Sequence, residues 1–418
     1  MSVCVFEKEW RGRRGGRRRP SLIHASPHPW REGRGADPPP LPAIPLCFHH
    51  HPHPYTPPHS HALVAKRVAP PPAGRGDDAI GHARKVASYI AEAEFYRSVA
   101  PSLLALPPGD VPLVARPYLV LEEEEGGEAG PRKQQKAGPA PATNATTTRK
   151  TTLVLQDLRP SHPVFPRGGL SPAQLGSALR WLAAFHAAFW GRGGGGGAHP
   201  GGGPAPAPAP PPVTPPPLLA QREGTYWHLA TRPAELAAIE GDAEWGALAA
   251  AAPGMAADLA AGAAGPHGTL VHGDAKAANF CFSADGARAA AFDFQYVGTG
   301  LGARDVAYLL CSAGGARQIG CAPGGEAPWL DLYWAALAPR LAARGVAVDD
   351  GSGGGGGGGG TAPEPYTRSL LQAHYDLAAA DFFRFMAGWG TWGAADAFAG
   401  VARAVVARRA GGGERGEV

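Results

Sequence analysis

Paired cysteines are missing from this chain. Its five cysteines, Cys4, Cys47, Cys281, Cys311 and Cys321, are widely spaced, and no CxxC pair occurs. An odd, scattered set argues against a disulfide framework and for a reducing compartment. Also missing is any run of 18 or more apolar residues free of Gly, Pro and charge, so no membrane span is expected. Glu7, Lys8 and Glu9 stand where a secretory leader would need an apolar core. The expected location is cytoplasmic, with organellar targeting left open by the N-terminal arginines.

Strong charge of one sign is absent too. The formal net charge is +4, much of it from the tract Arg11 to Arg19, and no face interleaves basic with aromatic residues. Specific nucleic-acid binding is therefore not expected; the tract reads as a solvated tail. The histidines at 49, 50, 51, 53, 59 and 61 are separated by prolines and lack a cysteine pair, so no metal site is read there.

What the chain has in excess is glycine (60) and proline (45) among its 418 residues. Much of the excess lies in tracts that cannot pack a core. Residues 1–61 read as a low-complexity, disordered N-terminal segment. Disordered insertions are expected at 122–150, 193–217 and 351–360, and 411–418 as a tail. Roughly 250–300 residues remain to fold, enough for two coupled lobes.

Within that remainder, "ALVAKRVAP" from Ala62 predicts a short strand carrying Lys66. Apolar spacing of three and four through Val86, Tyr89, Ile90, Ala93 and Tyr96 predicts a helix ended by Pro101. "PLVARPYLVLEE" and "TTLVLQDL" predict a hairpin whose long connector is the 122–150 insertion. After Asp157 the pattern turns helical. Ser171 is a candidate N-cap with Pro172 at the first helical position, and further helices are expected over 304–311, 329–343, 365–386 and 394–409. The fold class is α+β: a small β-rich front lobe (62–158) and a larger, mainly helical rear lobe (159–410).

The chemistry concentrates in "LVHGDAKAANF", Leu270 to Phe280. Asp274 is followed by Asn279 and then, nineteen residues after Asp274, by Asp293 at the end of the apolar run "AAAF". A strand-turn-strand path between them would gather all three at one pocket. Phosphoryl transfer needs such a set: a carboxylate to take a hydroxyl's proton, and hard oxygens to hold Mg²⁺.

With these residues in view, the chain resembles the aminoglycoside phosphotransferase and choline kinase-like group, small-molecule kinases with protein-kinase architecture. "DFQYVGTGLGARDVAYLL" is closest to the CHK-like (ecdysteroid kinase-like) branch. "LVLQDL", "WLAAFHAAFW", "GTYWHLATRP" and "RFMAGWGTWG" extend the likeness from about Lys66 to the C-terminal helices. The resemblance implies ATP and Mg²⁺ as cofactors and a small hydroxylated metabolite as substrate. It makes Asp274 the catalytic-loop aspartate, and Asn279 and Asp293 the magnesium ligands. Lys66 and Glu92 would be the phosphate-binding lysine and its ion-pair partner; Glu92 is preferred to Glu94 because Phe95 and Tyr96 follow it at the family's spacing. Gln156, Asp157 and Leu158 would form the hinge facing adenine. His272 belongs to the catalytic loop and is expected to brace it. Lys276 would either touch the γ-phosphate or stand in solvent. Asp305 would tie the loop down or simply cap a helix.

The aromatic stripe Trp181, Phe185, Phe189 and Trp190 reads as core. Trp227, Trp389 and Trp392 read as lobe packing, with an aromatic wall for a cationic headgroup as the second reading. No strand pair with a glycine-rich turn is visible before Ala62, and "RGRRGG" follows no strand. That gap supports a competing reading: a kinase-fold binding or regulatory protein with a degenerate front lobe. Substrate identity and oligomeric state are not readable.

Overall fold

The computed structural model describes residues 3–7, 62–69, 79–107, 111–125, 148–191, 214–220, 222–314, 318–320, 324–349 and 365–411. The arginine tract, the histidine run, most of the expected insertions and the residues after 411 lie outside the described residues.

The front lobe is built on a four-stranded sheet in the order β1-β2-β4-β3. Strand β2 (Leu63–Val68) runs antiparallel to β4 (Thr148–Gln156), which also pairs antiparallel with β3 (Pro117–Glu125). The hairpin strands run past the expected edges of the connector, reaching Glu125 and resuming at Thr148. Backbone pairing thus continues into the acidic and Thr-rich ends, which carry no apolar pattern to announce a strand.

The fourth strand corrects the reading of residues 1–61 as strandless. β1 (Val3–Glu7, "VCVFE") lies parallel to β2, with Val3 opposite Leu63 and Glu7 opposite Arg67. Five residues, of which Val3, Val5 and Phe6 favour strands, are too few for a periodic signal, and they pair with a segment far along the chain.

Helix α1 (Ala79–Glu94) packs behind the sheet with Ser88, Ala91, Glu92 and Ala93 buried. It continues through a π-helical turn, Phe95–Val99, into a last α-turn, Ala100–Leu104. Pro101 therefore does not end the helical path. It sits at the start of the last turn, where a missing N–H is tolerated.

The rear lobe is centred on α2 (Pro172–Ala188), of which 13 residues are buried. Ser171 caps it as expected. Gln174 completes a capping box: its N–H donates to Ser171 Oγ at 3.3 Å, and its Oε1 accepts from Ser171 N at 2.9 Å. Around α2 come α3 (Gly246–Ala264), strands β5 (Gly268–Val271), β6 (Phe280–Phe282), β7 (Ala289–Ala291) and β8 (Gly298–Leu301), then α4 (Ala303–Leu309), α5 (Ala327–Ala342), α6 (Arg368–Trp389) and α7 (Ala395–Gly411). By length and composition α3 is apolar enough to cross a membrane. It nonetheless carries Pro253 and Asp258, and it buries Leu248, Ala252, Met255 and Leu259 among its neighbours α6, α7 and β8.

Two packing features fix the cleft. Phe294 is wholly buried and stacks on Phe95 at 3.6 Å between ring centres, with Tyr96, Trp181, Phe185 and His272 around it. That cluster ties the end of α1 to the segment carrying Asp293. Trp181, Phe185, Phe189 and Trp190 are all buried, in accord with the core reading. Behind the cleft, buried Arg304 on α4 reaches Glu223 (2.7 Å) and Asp381 of α6 (3.3 Å), and Arg384 pairs with the same Asp381 at 3.0 Å. Each charge there has a partner, as burial requires.

Candidate active site

The short hairpin β6–β7 explains how residues nineteen apart in sequence come together. Phe280 pairs with Ala291, and the backbone N–H of Phe292 donates to Asn279 O at 3.0 Å. Asn279 and Asp293 therefore leave the same end of the hairpin. On the other side, β5 and β8 are antiparallel, with Val271 opposite Gly298. The loop leaving β5 thus lies beside the entry to β8, and the helix α4 that follows β8 brings Asp305 to the same loop.

Asp305 is wholly buried and accepts from the backbone of the loop: His272 N at 2.6 Å and Gly273 N at 2.9 Å. His186 of α2 lies 3.2 Å from its Oδ2 through Nε2, and Tyr333 OH is 2.7 Å from His186 Nδ1. The N-cap of α4 is Gly302, so the helix-cap reading of Asp305 does not hold; its carboxylate serves the loop. Gly273 has φ +79°, and a Cβ there would lie 1.9 Å from Tyr296 O, so no other residue fits.

Asp274 sits at the focus of the loop. Its Oδ2 accepts from Lys276 Nζ (2.7 Å) and Asn279 Nδ2 (2.9 Å), and its Oδ1 from Tyr308 OH (3.1 Å). Burial pushes its carboxyl above the ordinary aspartate range, opposed by the ammonium of Lys276. His272 accepts from Asp274 N at 3.3 Å through Nδ1, while Nε2 faces Phe292 O at 3.1 Å. With a carbonyl facing Nε2, the proton belongs there, and both nitrogens are engaged. The ring braces the loop, as expected from the sequence. Lys276 pairs with Asp274 and is the most exposed member of the set, so it stands between the two readings offered for it.

On the front-lobe side Lys66 Nζ lies 2.7 Å from both oxygens of Glu92 and 2.9 Å from Asp293 Oδ1. Burial works against the lysine's charge, but the two carboxylates outweigh it and hold the ammonium protonated. Burial also pushes Glu92 upward, with Lys66 opposing. Gln295 Nε2 adds a 3.3 Å bond to Glu92. Glu94 turns away, bonding Arg97 at 2.9 Å and Ser98 at 2.7 Å, so it is Glu92 that meets the lysine. Asp293 has φ +66°, a left-handed conformation unusual for a non-glycine residue and characteristic of strained functional positions.

The hinge segment lies at the end of β4. Gln156 N donates to Arg116 O (2.8 Å), and Asp157 N to Ala62 O (2.9 Å). The Asp157 carboxylate is taken by Arg159, which holds it below the usual carboxylate range, and Leu158 is buried. The Leu158 carbonyl accepts from Ser161 N (3.1 Å) and His162 N (2.7 Å), so these hinge candidates are fixed in place by their own backbone bonds.

The donor set suits Mg²⁺. Asn279 spends its amide N–H groups on Asp274, which leaves its carbonyl oxygen to face an ion; Asp293 would add a carboxylate. Among the described residues no group of three or more His, Cys, Asp or Glu side chains could hold a metal alone. A small oxygen-preferring ion that keeps waters and substrate phosphates in its shell fits such a sparse set.

Residues absent from the expected set complete the site. Tyr308 bonds Asp274, and Tyr226 OH lies 3.3 Å from Tyr308 OH. Thr225 is buried with φ +81°, its hydroxyl is unpartnered among the described residues, and its N–H donates to Tyr296 O at 3.1 Å. Their sequence signal was weak: they lie in "GTYWHLATRP" and "DVAYLL", which carry no chemical spacing of their own. Of the three tryptophans left open, Trp227 is fully buried against Tyr308 and Phe382, in accord with packing. Trp392 packs on Phe382 and Phe385, whereas Trp389 is 63% exposed.

Comparison with known proteins bears on the whole arrangement. Residues 67–344 match the phosphotransferase enzyme family (APH). Among solved structures, an aminoglycoside-3'-phosphotransferase of type VIII aligns at 17% identity over 67% of this chain and 82% of its own, with a TM-score of 0.32. No curated protein sequence matches. The family match spans about two thirds of the chain and includes the Leu270–Phe280 segment, Asp293 and Asp305: the chain belongs to the phosphotransferase enzyme family.

Proposed function

We propose that this chain is an ATP-dependent kinase that phosphorylates a hydroxyl of a small metabolite. One observation carries the reading: Lys66 and Asp293, 227 residues apart in sequence, meet at 2.9 Å beside the Asp274 loop. A core contact would not bring a lysine and two carboxylates together at a partly open cleft. Mg·ATP, when bound, would supply the phosphoryl group and the charge that shields its oxygens.

The chain's own residues do the rest. Lys66, fixed by Glu92, presents an ammonium where phosphate oxygens would lie. Asn279 and Asp293 offer the oxygens for the metal. Asp274 accepts the proton of the acceptor hydroxyl, and its raised pKa makes it a better proton acceptor than an exposed aspartate. Lys276 and Tyr308 orient its two oxygens, and Asp305 keeps the loop backbone in place. The "DFQ" segment supports placement near the CHK-like branch.

A second reading has an observation of its own. β1 is parallel to β2 and joined to it through residues 8–62, so the described strands contain no tight glycine turn over the phosphates. This favours a nucleotide-poor, kinase-fold binding protein. Thermal unfolding with and without Mg·ATP separates the two. The kinase reading expects stabilisation of about 2.7 kcal/mol at a hundredfold excess over Kd. No shift at millimolar nucleotide would favour the second.

A further inference from the structure

The acceptor side of the cleft contains an aromatic box that this chain fills with its own cation. The Arg232 guanidinium lies 5.3 Å from the ring centre of Tyr226, 4.8 Å from Phe385 and 5.4 Å from Trp389. Three faces around one cation is the arrangement that would otherwise hold an ammonium headgroup. Arg232 is not there by accident of surface mobility: it is 8% exposed. Its Nε donates to Tyr226 O at 3.0 Å and its Nη1 to Glu235 at 3.2 Å. The turn carrying it is pressed onto α6 at Gly388, where a Cβ would come within 1.9 Å of Glu235 O. The box is one hydroxyl away from the chemistry, since Tyr226 reaches Tyr308 and Tyr308 reaches Asp274.

Two further guanidiniums gather on the same side. Arg84 of α1 donates to Thr231 O at 3.1 Å, directly before Arg232 in sequence. Arg222 donates to Ala87 O at 2.6 Å and to Gln295 O at 3.4 Å. Burial pushes the Tyr296 phenol up and the Asp274 carboxylate adds to that, while Arg84 and Arg232 oppose it, so both guanidiniums lie near this ring. Burial and the neighbouring Arg84 both depress Arg232, so the two cations already repel each other. Glu235 is the carboxylate that Arg232 itself bonds, while Asp274 faces the same tyrosines from the other side. A cationic acceptor would meet a filled box and added repulsion, whereas an anion would relieve both.

We propose that the acceptor is a hydroxylated metabolite carrying a carboxylate or phosphate group, recognised by Arg232 and Arg84, and that the site rejects ammonium headgroups. This rests on the kinase reading for the identity of the cleft. Calorimetric titration of the full chain tests it, first with Mg·ADP and then, on the saturated protein, with four probes: glycerate, glycerol 3-phosphate, glycerol and choline. Absence of Mg·ADP binding counts against the kinase reading, and the probe series is then run on the nucleotide-free chain. At least one of the two anions is expected to bind tenfold or more tightly than glycerol, and choline not at all. Which anion wins identifies the group. Arg232→Ala is expected to lose that preference and to gain choline binding in the opened box. Arg232→Lys, which keeps the charge and the cation–π contact, retains part of it and guards against a folding defect in the alanine variant. Choline uptake by the wild type, no preference for either anion, or an unchanged anion affinity in Arg232→Ala would each overturn the proposal.

Discussion

The two sides of the cleft differ in how they are built. The nucleotide side draws on residues whose spacing along the chain encodes their meeting. Asp274, Asn279 and Asp293 are delivered by one loop and one tight hairpin. The proposed acceptor side is assembled from four separate segments: Arg84 on α1, the loop 222–235, Tyr308 on α4, and Phe385 and Trp389 on α6. Local connectivity sets the Asp274, Asn279 and Asp293 group, whereas tertiary packing brings Lys66 and Glu92 to it and joins the separate segments of the second side. A protein of this build can keep its chemistry while exchanging its acceptor.

The largest effect is expected on the nucleotide side. Asp274→Asn keeps the shape of the side chain but removes the base, and kcat should fall by about 10²- to 10⁴-fold, read as acceptor-dependent ADP release. Glu92→Gln and Glu94→Gln then set a buried glutamate held by Lys66 against a half-buried one that pairs with the exposed Arg97. The first should raise the KM for Mg·ATP and lower stability by about 2 kcal/mol, because it leaves the Lys66 ammonium with one carboxylate. The second should stay within about 0.5 kcal/mol of wild type by chemical denaturation. Equal effects would mean that Lys66 does not depend on Glu92.

On the acceptor side, Tyr308→Phe removes one hydrogen bond to the Asp274 carboxylate, worth about 1.5–3 kcal/mol where a charged group is involved. A fall in kcat of about tenfold is expected, with the KM for Mg·ATP unchanged.

Smaller still is the shift in the pH profile. Asp274 must be ionised to accept a proton, and its pKa is raised, so activity should fall as pH drops through a value above the ordinary aspartate range. Lys276 opposes that rise, so Lys276→Ala should move the acid limb to higher pH. A limb left in place, or moved lower, would show that Lys276 does not act on the base in solution.

The contrast between the two sides also explains what could be read before folding. The H-G-D-x₄-N loop, the later Asp293, the Lys66 strand and the choice of Glu92 were legible. Each is a charged or amide side chain at a spacing that few structures other than a site would use. Asp305 was legible as a residue, but its job became clear only when β5 and β8 placed it under two backbone N–H groups. Arg232 was not legible. An arginine before a proline in "LATRP" looks like any loop charge, and the three rings around it come from positions 226, 385 and 389. Trp389 drew notice as a wall for a cation, and the cation turned out to be the chain's own. β1 escaped for a different reason, since five residues are too short to show a period.

The central claim is that Asp274 is the base of a phosphoryl-transfer site whose nucleotide side is intact. It is tested most directly by comparing wild type with Asp274→Asn, measuring Mg·ADP affinity by calorimetry and acceptor-dependent ADP release on the same preparations. The account predicts equal nucleotide affinity within about twofold, since Asp274 is not assigned to hold nucleotide, with turnover lost only in the variant. Undiminished turnover in Asp274→Asn would contradict it.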